Sequence, residues 1–82
     1  MCRNITTLRG LEPVATPEEI EAAARQYVRK VSGITKPSRV TEDRFEQAVA
    51  EIAAATTALL ADLPERRQPP PTLPPMRRHA HA

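Results

Sequence analysis

Cys2 carries the most reactive side chain in this sequence, and it is the only cysteine. If Met1 is removed, its thiol lies beside the α-amino group and Arg3, and neighbouring positive charge favours the reactive thiolate. A nucleophilic enzyme also needs an oriented base, and the two histidines, His79 and His81, lie far along the chain. A closed zinc site needs four ligands, more than these residues supply. The sequence therefore predicts no enzyme, no metal site and no cofactor, and a redox or metal role for Cys2 is the third functional hypothesis.

A group of basic residues surrounds the connection between two expected helices. The group consists of Arg29, Lys30, Lys36, Arg39 and Arg44. Such a patch can bind a phosphate backbone. Against this, Glu42 and Asp43 lie in the same region, and the connection is longer than the turn of a helix-turn-helix. Together with Cys2 and Arg3, the group forms the candidate interaction surface, and nucleic-acid or ribosome association is the alternative function.

The composition predicts a small protein with a thin core. The 82 residues include one Phe, one Tyr and no Trp, so Ala, Val, Ile and Leu must supply the apolar contacts. A core of this size often needs a partner or self-association. A single cysteine forms no internal disulfide and suits a reducing compartment. No run approaches the roughly 18 apolar residues of a membrane span, so we expect a cytoplasmic protein that does not enter the membrane.

The segment from Thr16 to Gly33 has the start and stop signals of a helix. Thr16 is a good N-cap, proline follows at the first helical position, and Glu19 completes a capping box. Glu21 precedes Arg25 by four residues, which favours an ion pair. Gly33 suits the left-handed position after the last turn. One face is apolar and consists of Ile20, Ala23, Ala24, Tyr27, Val28 and Val31.

The longest apolar-periodic run extends from Thr41 to Leu63 and predicts a second helix. Its apolar face consists of Phe45, Ala48, Val49, Ile52, Thr56, Leu59, Leu60 and Leu63. Val40 is placed to contact Phe45 as a hydrophobic staple. Pro37 excludes helix just before this segment, and Pro64 ends it. The short connection makes the two helices antiparallel neighbours.

The N-terminal residues form either a single helical turn or an extended strap. Ile5, Leu8 and Leu11 recur every third residue, which suits a turn begun at Asn4 and stopped at Gly10. In either form we expect these three apolar residues to cover the helix pair.

The chain from residue 64 to residue 82 is rich in proline and arginine and lacks apolar periodicity. This composition predicts a disordered tail with polyproline II character. The domains are therefore expected at residues 1–63, helical, and 64–82, disordered. The fold class is all-α: an antiparallel two-helix hairpin with an N-terminal segment packed across it and a disordered Pro-rich C-terminal tail.

Several blocks occur together in a distinctive order. They are Met1-Cys2-Arg3-Asn4-Ile5, then Glu12-Pro13-x-Ala15-Thr16, then Tyr27 to Gly33, followed by Lys36-Pro37-Ser38. They resemble a family of small bacterial proteins that begin MCRNI and are classed as a domain of unknown function (DUF2277 type). The resemblance covers roughly residues 1–63, with Leu11, Val14 and Ile34 standing where an aromatic, a proline and an aromatic are expected. It implies that the MCRNI start is part of the domain, packed into or acting beside the helix turn, and it carries over no activity.

These observations favour a small helical interaction module. We expect it to present a helical face to a protein partner or to a second copy of itself, and no small-molecule substrate is inferred. The warrant is the thin core, together with the lack of a catalytic set or cofactor motif in the sequence.

Overall fold

The computed structural model describes residues 4–64, 70 and 72–80. For residues 78–80 it describes the backbone only. Its helices are α1 (Pro17–Ser32), α2 (Glu42–Asp62) and the short α3 (Pro75–Ala80). Ala24 and Val28 of α1 pack with Phe45 near the start of α2. At the other end, the cluster around Ile20 is covered by Leu60, near the end of α2. The two long helices are therefore antiparallel, and the predicted all-α hairpin is confirmed.

Helix α1 begins and ends as its sequence predicts. The Glu19 backbone N–H donates to Thr16 Oγ1 (3.1 Å), and the Thr16 N–H donates to Glu19 Oε1 (2.9 Å). This reciprocal capping box satisfies two backbone donors that have no partner within the helix. At the other end Gly33 has a φ of 72° and donates to the Arg29 carbonyl (3.0 Å). A side chain is disfavoured at that positive φ, which explains the glycine.

Helix α2 begins at Glu42, one residue after the predicted start at Thr41, and a turn precedes it. Thr41 makes no side-chain cap. Instead, the Ser38 N–H donates to Thr41 Oγ1 (2.9 Å), and the Ser38 carbonyl accepts from the N–H groups of Thr41 (3.1 Å) and Glu42 (2.8 Å). Because this turn already curls the chain before α2, Val40 points outward and is 90% exposed. The predicted staple between Val40 and Phe45 is therefore wrong.

The N-terminal segment crosses the hairpin as an irregular strap, so the alternative of a helical turn at Asn4 to Gly10 is wrong. Leu8 and Leu11 are buried and pack with Ile20, where Ala53 and Leu60 of α2 also contact the cluster. The strap thus widens the core at the end of the hairpin away from the helix connection. Gly10 has a φ of 90°, which lets the strap turn between its two buried leucines.

The described part of the C-terminal tail includes one short helix. Residues 75–80 form α3, and Pro70 and Pro74 are buried. Residues 65–69 and 71 lie outside the described residues, so the predicted disorder and polyproline II character of that stretch also fall outside them. The boundary between a domain at 1–63 and a tail stays a prediction.

Candidate functional site

A cavity of about 300 Å³ lies between α1, α2 and the strap. Its walls are mainly apolar: Ile5 and Leu8 from the strap, Ala23 and Tyr27 from α1, Ile52 and Leu60 from α2. Alanine side chains at 23 and 24 leave this space unfilled on the α1 side. Thr6 also lines the cavity, and its Oγ1 is buried without a hydrogen-bond partner among the residues that the structure describes.

The edge of this cavity continues into an exposed apolar surface. Ile5 is 43% exposed and Tyr27 is 50% exposed, although both were expected to cover the core or belong to its stripe. On α2, Leu59 is 55% exposed and lies seven residues after Ile52, which places both on one side of the helix. Helical spacing adds two alanines to this side. We call the surface made by Ile5, Tyr27, Ala48, Ile52, Ala55 and Leu59 the groove face.

The other side of the hairpin is closed by an ion pair. Arg25 donates two hydrogen bonds to Glu46, from Nη1 to Oε2 (2.7 Å) and from Nη2 to Oε1 (2.8 Å), and its guanidinium lies 5.8 Å from the centre of the Phe45 ring. These bonds lower the pKa of Glu46 against a smaller opposing effect of desolvation, and the charges of Arg25 and Arg29 lower it further. The predicted partner Glu21 lies farther away, at 3.8 Å. Bidentate geometry makes Glu46 the main partner.

The basic residues proposed from the sequence lie where their elements place them. Arg29 and Lys30 are exposed in the last turn of α1, Lys36 and Arg39 are exposed in the connection, and Arg44 is exposed in the first turn of α2. None of the five has an ion pair among those found in the described part of the chain. Cys2 and Arg3 lie outside the described residues, so their place beside this group stays a prediction.

Within residues 4–64, 70 and 72–80, no cluster of three or more His, Cys, Asp or Glu side chains is arranged to hold a metal ion. No helix in the same residues has the length and apolar character needed to cross a bilayer.

A family model described as "Uncharacterized conserved protein (DUF2277)" matches residues 1–82. The chain belongs to the DUF2277 family. No curated protein and no solved structure matches it. The match extends through the tail, beyond residues 1–63, where the sequence resemblance ends. The MCRNI start of this DUF2277 chain contacts the fold through Asn4, whose N–H donates to Gln26 Oε1 (2.8 Å) in the middle of α1.

The tail of this DUF2277 protein contacts the start of α1. From α3, Arg77 Nε donates to Glu19 Oε2 (2.8 Å), and Nη2 donates to Glu19 Oε1 (3.1 Å) and to the Val14 carbonyl (3.0 Å). Burial raises the pKa of Glu19, but the hydrogen bonds from Arg77 and Thr16, with the Arg77 charge, outweigh it and lower the pKa overall. Glu19 is therefore a buried carboxylate held in its charged form.

Arg9 connects the strap to the residue that follows α2, at the end of the hairpin away from the helix connection. Its Nε and Nη2 donate to the Pro64 carbonyl at 3.0 and 2.6 Å. Sequence reasoning missed this contact and those of Arg25 and Arg77, because no local spacing relates residues 21 to 58 positions apart. It also missed the groove face, whose apolar residues it assigned to the core. The wide apolar stripe on each helix was a usable signal, since a two-helix core cannot cover all of it.

Proposed function

We propose that this chain is a small helical protein-interaction module and that the groove face is its binding surface. The observation that carries this proposal is a cavity of about 300 Å³ whose apolar rim stays half exposed in the folded chain. Contiguous exposed apolar surface is characteristic of docking sites. An apolar surface along two helices suits an amphipathic helix, which inserts side chains at intervals of three or four residues.

The distribution of charge supports the same surface. Arg25 and Glu46 satisfy each other on the far side of the hairpin, and Arg77 and Glu19 do so at the start of α1. The groove face itself carries no ionisable group except the Tyr27 hydroxyl. Desolvating it on binding therefore costs little compared with burying a charged surface.

A photo-crosslinking residue, benzoylphenylalanine, placed in turn at Leu59 and at Ala54 tests the proposal in intact cells. Leu59 lies on the groove face, whereas Ala54 is exposed on the opposite side of α2. We expect a protein adduct of defined mass from position 59 and none from position 54. No adduct from position 59, or equal adducts from both, would contradict binding through this face.

The rival proposal is nucleic-acid binding through the exposed basic group around the helix connection. Its support is that Arg29, Lys30 and Lys36 are exposed and have no ion pair in the described residues, so their side chains are accessible to phosphates. It predicts RNA binding that weakens steeply with salt and falls when these three become alanine. Binding that is absent, or independent of salt and of the three substitutions, would exclude it. A Cys2 thiol role stays a prediction, tested by whether its alkylation rate at neutral pH exceeds that of a free model thiol.

A further inference from the structure

We infer that the groove face is occupied by a second copy of this chain, with the two α2 helices packed antiparallel across a two-fold axis. This inference rests on the proposed function and names its partner. Its first support is the shape of the chain, which measures 44 × 32 × 17 Å. Domains commonly bury their cores between two layers of secondary structure. A second copy supplies a second layer over a surface that the first leaves open.

The groove face is complementary to itself in size. Along α2 it consists of Ala48, Ile52, Ala55 and Leu59, at the alternating spacing of four and three residues that packs one helix against another. When the two-fold axis passes between residues 53 and 54, Ile52 faces Ala55 of the second copy. In the same arrangement Ala48 faces Leu59. A large side chain therefore meets a small one in every layer, which allows close packing of the two helices.

The charges at the ends of α2 select the antiparallel direction. Arg44 and Asp62 are separated by 18 residues, which is five turns at 3.6 residues per turn, so they lie on the same side of α2. Both are exposed, and neither side chain has an ion pair or hydrogen bond in the described part of the chain. In the antiparallel pair, Arg44 of each copy lies near Asp62 of the other. In a parallel pair, Arg44 of one copy and Asp62 of the other lie at opposite ends of α2, so the opposite charges do not meet.

Glu51 lies between these two residues on the same flank. Gln47 Nε2 already donates to its carboxylate (2.9 Å). The Glu51 carboxylate therefore already has a hydrogen-bond donor, and it lies at the edge of the groove face, outside the apolar contacts. At this edge water continues to solvate it, as at the polar rim of protein interfaces.

The oligomeric state of the full chain, measured by sedimentation equilibrium, is the first test. The matched variants are Ala55→Arg, on the groove face, and Ala54→Arg, on the opposite side of α2; both alanines are exposed, so both variants keep the fold. We expect the wild type and Ala54→Arg to form dimers, and Ala55→Arg to dimerise at least about tenfold more weakly. A wild type that stays monomeric at about 100 μM, or equal effects of the two variants, would overturn the inference.

Charge reversal tests the antiparallel register. Arg44→Asp alone and Asp62→Arg alone each place like charges at both ends of the dimer, so each variant is expected to dimerise more weakly than the wild type. An equimolar mixture of the two single variants should form a mixed dimer, because opposite charges then meet at both ends. Native mass spectrometry separates the mixed species by mass. Absence of a preference for the mixed dimer would overturn this register.

The two proposals fail in different ways. A wild-type monomer whose position-59 adduct contains another identified protein overturns the second copy as occupant and leaves the interaction module standing. A chain without any adduct from position 59, and without a dimer, overturns both.

Discussion

Glu19 shares its carboxylate between the first turn of α1 and Arg77, a residue 58 positions later in the chain. Oε1 accepts from the Thr16 N–H at 2.9 Å, and both oxygens accept from the Arg77 guanidinium at 2.8 and 3.1 Å. Only 3% of the Glu19 side chain is exposed. A residue that the sequence assigns to helix capping therefore also attaches the C-terminal helix to the domain.

Replacing Glu19 by Gln should destabilise the fold by about 1–3 kcal/mol, because a buried charged hydrogen bond to Arg77 is lost. The Gln side chain still offers an oxygen to the Thr16 N–H, so the loss reports mainly on the ion pair. Glu18→Gln is the matched control: it removes a carboxylate from the same turn, and since Glu18 is exposed we expect a change within about 0.5 kcal/mol. Urea denaturation measures both. Equal effects of the two variants would show that Arg77 contributes nothing.

The stability of the wild type should fall in acid partly through Glu19. Its pKa in the folded chain is below the ordinary value of 4.5, so the unfolded chain binds the proton more tightly. The stabilisation is present above 4.5 and is lost as the pH falls through the lowered pKa of the folded state. The difference in unfolding free energy between wild type and Glu19→Gln should therefore be constant near neutral pH and shrink below 4.5. Urea titrations at several pH values measure it, and a difference that grows in acid would contradict the assignment.

Local sequence signals predicted the two long helices of this fold. They did not predict the tertiary contacts. The capping box at Thr16 and the glycine at position 33 depend on neighbouring residues, and both formed as predicted. The Val40–Phe45 staple was wrongly predicted because the turn in which Ser38 N–H donates to Thr41 Oγ1 leaves Val40 exposed. Ser and Thr side chains can form several local hydrogen bonds, and the sequence alone does not show which of them will form.

The long-range contacts beside the candidate site could not be predicted from sequence, for a physical reason. Basic residues were grouped by nearness in sequence, yet Arg25 pairs with Glu46 across the hairpin and Arg77 with Glu19 across the chain. The sequence did not reveal the groove face, because Ile52 and Leu59 belong to the same periodic stripe as Phe45. These residues differ in how directly they face α1. Periodicity gives the apolar side of a helix and does not give how much of it a neighbour covers.

The same substitution, Thr→Val, should have different effects on stability at positions 16 and 6. Thr16 Oγ1 accepts from the Glu19 N–H at 3.1 Å, so Thr16→Val should cost about 1 kcal/mol as a lost helix cap. Within the described part of the chain Thr6 Oγ1 is buried without a partner, so Thr6→Val removes an unsatisfied hydroxyl and should be neutral or stabilising. Thermal unfolding of the two variants decides the comparison. A large loss for Thr6→Val would mean that its hydroxyl has a partner in solution.

Substituting alanine for a buried and for an exposed valine tests which of the two residues belongs to the core. Val49 is 2% exposed and packs with Phe45 and Val28, so Val49→Ala should destabilise by about 1–3 kcal/mol through lost contacts and a residual void. Val40 is almost fully exposed, so Val40→Ala should change the unfolding free energy by no more than about 0.5 kcal/mol. Urea denaturation with equal m-values for both variants measures the two effects on one scale. A loss for Val40→Ala comparable to that for Val49→Ala would show that Val40 covers Phe45 in solution, as a hydrophobic staple does, and that the turn at Ser38 does not hold it outward.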